Sequence, residues 1–181
     1  MKKIILFSLP VIFALTLTAQ VYIPADAGST VKFSIKNFSI NVPGSFKGLQ
    51  GKIIFDPSNP ASSSVNVSVD ANTVYTSNSS RDKHLKKETY FHVARYPRIS
   101  FQSTRISKTD QQGTYLIEGN LLIKGIIKTV SFPFTSISTT NGLLLAGKFR
   151  INRRDFNVGE SSWVLSDELT VSLSISAVKQ Q

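Results

Sequence analysis

Apolar and polar residues alternate along most of this chain with a period of two, the mark of β-strands that bury one face and expose the other. Val31, Phe33 and Ile35 alternate with Thr30, Lys32, Ser34 and Lys36. Between Ser45 and Asp56, Leu49, Ile53 and Phe55 share a parity, and Gly44, Gly48 and Gly51 predict bends or bulges there. Val65, Val67 and Val69 form a third run, and Ile99 and Phe101 open a fourth that continues towards Ser107. Tyr115, Ile117, Gly119, Leu121 and Ile123 are in phase, as are Val130, Phe132 and Phe134. Leu143, Leu145, Gly147, Phe149 and Ile151 follow, and Leu169, Val171, Leu173, Ile175 and Ala177 close the series. Turn chemistry separates the runs at Asp56–Pro60, Asp110–Gly113, Lys124-Gly125 and Asn141-Gly142. These signals predict an all-β chain of about eight antiparallel strands. Long strands interrupted by glycine favour a closed barrel over an open sandwich, because closure removes the exposed edges.

One stretch breaks the alternation. Asn78 to Phe101 carries both histidines, His84 and His92, and the aromatic group Tyr90, Phe91 and Tyr96. Asp82 stands three residues after Ser79, a capping-box spacing, and four before Lys86, the favourable order for a helix-surface pair. A short helical insertion near residues 79–94 is predicted. Tyr96 precedes Pro97 and is biased towards an extended conformation, so a strand can restart at Arg98.

Residues 1–19 have the layout of a removed signal peptide: Lys2 and Lys3, an apolar run from Ile4 to Leu17, and Ala19 at the cut. Residues 20–181 are then one domain, and an exported location, periplasmic or secreted, is expected. There is no cysteine, which removes disulfides, thiolate catalysis and Cys-based zinc sites. The formal charge is +10, or +8 with Lys2 and Lys3 set aside. The basic residues are scattered, so nucleic acid is not an expected partner; a transient contact with an anionic membrane surface is compatible with the charge.

Three candidates for chemistry stand out. Asp82, His84 and the many serines are the parts of a hydrolase. Yet residues two apart on a helix point to different faces, and no G-x-S-x-G elbow is present. A structural role for Arg81, Asp82 and His84, pinning the insertion by hydrogen bonds, is the stronger expectation, and no catalytic residue is assigned. Two histidines eight apart and scattered aspartates supply neither a zinc nor a calcium set, so no metal or cofactor is expected. The third candidate is the interior. Phe33, Phe55, Phe101, Phe132 and Phe149 fall on parities that can face inward, where they could fill a dry core or line a cavity.

Several segments resemble the YceI-like family of exported, lipocalin-like proteins that bind polyisoprenoid lipids. They include VKFSIKNF (Val31 to Phe38), GSFKGLQGKIIFDPSNP (Gly44 to Pro60), SVNVSVDANTVYT (Ser64 to Thr76) and, most specifically, RDKHL with YFHVARYPRISFQS (Arg81 to Ser103). GNLLIKGIIKTVSFP (Gly119 to Pro133), FRINRRDFNVG (Phe149 to Gly159) and DELTVSLSISA (Asp167 to Ala177) continue the family's order to the end. The chain departs from the family pattern at Asn37, at Tyr90-Phe91-His92-Val93 and at Lys124–Val130. The resemblance implies an eight-stranded lipocalin-like barrel, no enzymatic activity, and a long-chain isoprenoid or other amphiphilic lipid as partner. It implies a ligand-binding lining of Phe33, Ile35, Phe55, Val67, Val69, Phe91, Phe101, Leu121, Ile123, Phe132, Phe149, Val171 and Leu173. It leaves the oligomeric state open, a dimer included. Ten buried methylenes contribute about 8 kcal/mol gross, against an association cost of about 4–15 kcal/mol. Only a long hydrocarbon meets that cost.

Overall fold

The computed structural model describes residues 20–180, so the expected signal peptide at 1–19 lies outside the described residues. Its strands are β1 (Val21–Pro24), β2 (Thr30–Asn37), β3 (Ile40–Ile54), β4 (Ser64–Tyr75), β5 (Arg98–Lys108), β6 (Thr114–Ile123), β7 (Ile126–Thr139), β8 (Gly142–Asn152) and β9 (Leu165–Lys179). One α-helix, α1 (Ser79–Leu85), is joined to β5 by a series of turns.

Strands β2 to β9 pair antiparallel, each with the next in sequence, and the circuit closes between β2 and β9. Val31 stands opposite Leu173 and Phe33 opposite Val171. The fold is therefore a closed eight-stranded antiparallel barrel, not an open sandwich. Strand β1 is additional to the eight that the alternation predicts, being too short to show a period. It has a clear task. β2 spans 8 residues while its neighbours β3 and β9 span 15 each. Beyond the end of β2, β1 fills the gap, with Val21 against Ile54 and Pro24 against Ala177.

The inward rows follow the predicted parities except in β3 and in the second half of β5. In β3, Val42, Gly44 and Phe46 turn inward on even numbers, and Leu49 and Ile53 on odd ones. The switch coincides with register shifts between Ser45, Lys47 and Gln50, a bulge that re-aims the strand. A similar shift between Ser103 and Arg105 moves the buried position in β5 from Phe101 to Ile106. The hairpin at Lys124-Gly125 has a two-residue loop in which both residues have positive φ (51° and 78°), and Ile123 pairs with Ile126. That is the geometry of a two-residue type I′ turn.

The barrel has unlike ends. At one, the connections are the turns after β3, β5 and β7, and the interior is packed by Phe55, Tyr115, Phe134, Leu143 and Ala177. Phe55 meets Tyr115 and Phe134 edge-on at 5.0 and 5.8 Å. At the other end stand the β2–β3 hairpin, the helical insertion, the Lys124-Gly125 turn and the long β8–β9 connection, a 3-10 turn at Arg153–Phe156 included.

Gly51 has φ +141°, and a Cβ there would lie 2.1 Å from the Asn66 carbonyl oxygen of β4. Gly51→Ala is expected to cost about 2 kcal/mol or more, because backbone and not a flexible side chain must yield. Thermal unfolding checks this: a fall of roughly 4–8 °C is expected for a domain of this size.

Candidate ligand cavity

Between the two ends lies a cavity of about 1360 Å³, beyond the roughly 300–1,000 Å³ usual for small-molecule sites. Its walls are the inward rows of the strands, from Ile175 and Phe134 near the packed end to Phe33, Ile35, Val69 and Ile151 nearer the other. It reaches solvent among exposed residues of the irregular end: Lys83, His84, Lys87 and Thr89 on one side, Glu160, Ser161 and Val164 on the other.

Two aromatic groups stiffen the walls. Phe132 stacks on Phe149 at 4.2 Å and 12°, with Phe101 5.8 Å from Phe132. Across the barrel, Phe33 lies 5.6 Å from Phe46, and Phe46 meets Phe91 edge-on at 5.4 Å. Offset and edge-on contacts of this kind add to the area buried.

The sequence-predicted lining is largely gathered here. Phe33, Ile35, Val67, Val69, Phe91, Phe101, Leu121, Ile123, Phe132, Phe149, Val171 and Leu173 all face the cavity. Phe55 does not. Its parity is inward, but it sits just past the end of β3 within the packed end, and alternation reports which face a residue takes but not its height along the barrel. Phe46 and Tyr90 also line the cavity and were not anticipated. The phase change near Gly48 hid Phe46, although three glycines in eight residues were the available signal.

The insertion is held down by Thr76, a buried hydroxyl just past β4. The Asp82 carboxylate accepts from the Thr76 N–H (2.9 Å) and its Oγ1 (2.5 Å). Arg81 donates from Nε to Thr76 Oγ1 (2.8 Å) and from Nη2 to the Thr76 carbonyl (2.7 Å). The N-cap is Asn78, whose side chain accepts from the Arg81 N–H, one residue earlier than the Ser79 spacing predicts. Asp82 is thereby committed to Thr76, not to Lys86 and not to His84. His84 is exposed and rests its ring 4.9 Å from Tyr90. The hydrogen-bonding role expected for it is taken by Arg81 and Asp82, which reach Thr76, while His84 stands exposed at the cavity mouth.

The β8–β9 connection is organised by Arg153, which the sequence analysis left without a role. Its side chain is 3% exposed yet fully partnered: Nε donates to the Ser166 carbonyl (3.0 Å), Nη1 to Val158 (2.9 Å), and Nη2 to the Asp167 carboxylate (2.7 Å). This is the one ion pair among the described residues. Lys124 clasps the two sides of the mouth, donating from Nζ to the Asn157 carbonyl (2.6 Å) and the Thr89 carbonyl (3.3 Å). Partial burial lowers its pKa below the ordinary lysine value, with the charge of Glu88 opposing that shift. Among the described residues no group of three His, Asp or Glu is placed to hold a metal ion.

A family model for the YceI-like domain matches residues 22–177. A UPF0312 protein of Enterobacter sp. (strain 638) is 31% identical over 160 residues, covering 83% of this chain and 81% of its own. A UPF0312 protein of Yersinia pestis (strain Pestoides F) is 32% identical over 158 residues, covering 82% and 80%. Among solved structures, BcnA of Burkholderia cenocepacia superposes with a TM-score of 0.79 at 25% identity, covering 84% of this chain and 98% of BcnA. A polyisoprenoid binding domain from Saccharophagus degradans, 14% identical, superposes with a TM-score of 0.71 over 90% of this chain and all of that domain.

Asp82→Ala would leave the buried Thr76 N–H without a partner, so a loss of about 1–3 kcal/mol is expected. Lys86→Ala, which breaks no such bond, should be close to neutral. Chemical denaturation of both variants, with hydrogen exchange read across residues 79–96, checks the contrast.

Proposed function

The chain belongs to the YceI-like family, and on that premise we propose that it carries one long-chain lipid, of isoprenoid or fatty type, in the barrel interior after export, with transient contact at a membrane surface. The single observation that carries this is the cavity of about 1360 Å³, walled by apolar rows and open at one end. A barrel filled by its own side chains, acting only through its surface, would leave no such space. The polyisoprenoid binding domain of similar fold supports an isoprenoid among the candidate chains. Length matters because a chain gains about 0.8 kcal/mol for each methylene buried. It must first offset the freedom lost on association.

The wall residues have separable parts in this scheme. Val67, Val69, Leu121, Ile123, Val171 and Leu173 supply smooth aliphatic surface, while Phe33, Phe91, Phe101, Phe132 and Phe149 set the width. Arg81 and Asp82 hold the insertion against the mouth, and Lys124 joins it to the opposite side.

Val171→Trp tests occupancy directly. In a dense core such an insertion costs about 1–3 kcal/mol; in an open cavity the ring takes the ligand's place. Native mass spectrometry of protein purified without detergent is expected to show a co-purifying hydrophobic mass in the wild type. That mass should be lost from a variant that melts normally. An empty wild type that takes up no long-chain lipid would sink carriage.

Hydrolysis is tested at His84. Asp82 is bonded to Thr76 and cannot orient the imidazole. His84→Ala is therefore expected to leave turnover of a chromogenic ester at background and to cost less than about 1 kcal/mol, the ring contact with Tyr90 being all it removes. Specific wild-type turnover that falls by about 10²-fold in this variant would establish a general base instead.

A further inference from the structure

We propose that the chain docks on an anionic lipid bilayer through an apolar rim at the cavity mouth, formed by Phe38 and Ile40 of the β2–β3 hairpin with Trp163 and Val164 of the β8–β9 connection. The inference rests on lipid carriage, since a cargo this apolar has to be taken from or given to a membrane.

The four residues are conspicuous for their exposure. Phe38 is 74%, Ile40 71% and Val164 37% exposed, and Trp163 is fully so. They belong to two segments far apart in sequence that the Phe38 N–H joins by donating to the Val164 carbonyl at 2.6 Å. Contiguous apolar surface of this kind marks an interaction site more often than scattered single residues do. Phe38 adds a second sign. It occupies the two-residue hairpin loop, Asn37 pairing with Ile40, and it has φ +53°. Asparagine or glycine would adopt that conformation with less strain. An aromatic ring there is held out in solvent at a cost to the fold.

Position identifies the partner. Ser162 and Val164, on either side of Trp163, line the cavity, as does Asn37 next to Phe38. The rim is thus continuous with the opening through which a lipid would pass. Lys83 and Lys87 line the same mouth from the insertion, with Glu160 the acid on the facing side. The chain as a whole is strongly basic. A tryptophan and a phenylalanine beside lysines suit the interface of a bilayer with anionic headgroups. A second copy seated mouth to mouth would instead bring like charges together.

Trp163 is the only tryptophan, so it reports its own surroundings. The chain from Gln20 on, within which the barrel circuit closes, is mixed with vesicles of phosphatidylcholine and phosphatidylglycerol. The Trp163 emission is expected to move to the blue, to be quenched by bromine-labelled acyl chains, and to recover as salt is raised. The doubly substituted Phe38→Ser, Trp163→Ser protein, both changes lying in solvent, is expected to sediment with vesicles at least about tenfold less while still taking up a polyprenol presented in solution. An unshifted emission from protein that does take up the polyprenol overturns docking and leaves carriage standing. So does a Trp163 buried in a dimer that ignores vesicles. Vesicle binding by protein that takes up no polyprenol supports docking and removes carriage.

Discussion

Closure between β2 and β9 is the constraint from which the rest follows. Eight strands closed on themselves enclose an interior of fixed width, enough for side chains or for one slender ligand. The backbone pairing of Phe33 with Val171 and of Val31 with Leu173 fixes that width at the seam. Depth comes from strand length, since β3 and β9 run for 15 residues. Side chains of ordinary size fill the packed end, where Phe55, Tyr115 and Phe134 meet. Above them the inward rows are valines, leucines and phenylalanines that line the walls and do not reach across. Strand β1 completes the enclosure, covering edge backbone that the short β2 leaves bare.

The two ends of the barrel divide the labour. The connections after β3, β5 and β7 finish one end, over the packed core. The irregular backbone is gathered at the other, and each piece is satisfied by a specific device. Thr76 receives Arg81 and Asp82; Arg153 collects the carbonyls of the β8–β9 connection; Lys124 spans between the insertion and Asn157. Polar and charged side chains are gathered at the mouth, and below it the walls are the apolar rows of the strands. A mouth held by a few hydrogen bonds can open locally at a fraction of the cost of opening the sheet.

Much of the barrel is legible in the sequence because alternation is a local signal. In β6 every second residue from Tyr115 to Ile123 is buried, and that strand needs no tertiary information. Legibility fails wherever the outcome depends on contacts between distant segments. The bulge near Gly48 reverses the parity of β3 and conceals Phe46. Phe55 has the correct face and the wrong height. Thr76 looks like a strand residue until Asp82 is folded back on it, and Arg153 gains its meaning only from Ser166 and Asp167. The insertion was visible as a break in the alternation, with its cap displaced by one residue because the Asn78 amide reaches the Arg81 N–H ahead of Ser79.

The central claim is that the upper interior is a binding space distinct from the packed end. Methyl-labelled protein titrated with a polyprenol tests it by nuclear magnetic resonance. The account predicts shifted signals from the methyls of Val69, Leu121, Val171 and Leu173, with Ile106 and Leu143 of the packed core unmoved. Shifts confined to outward-facing residues such as Ile127 and Ile137, or no shifts at any concentration the lipid allows, would contradict it.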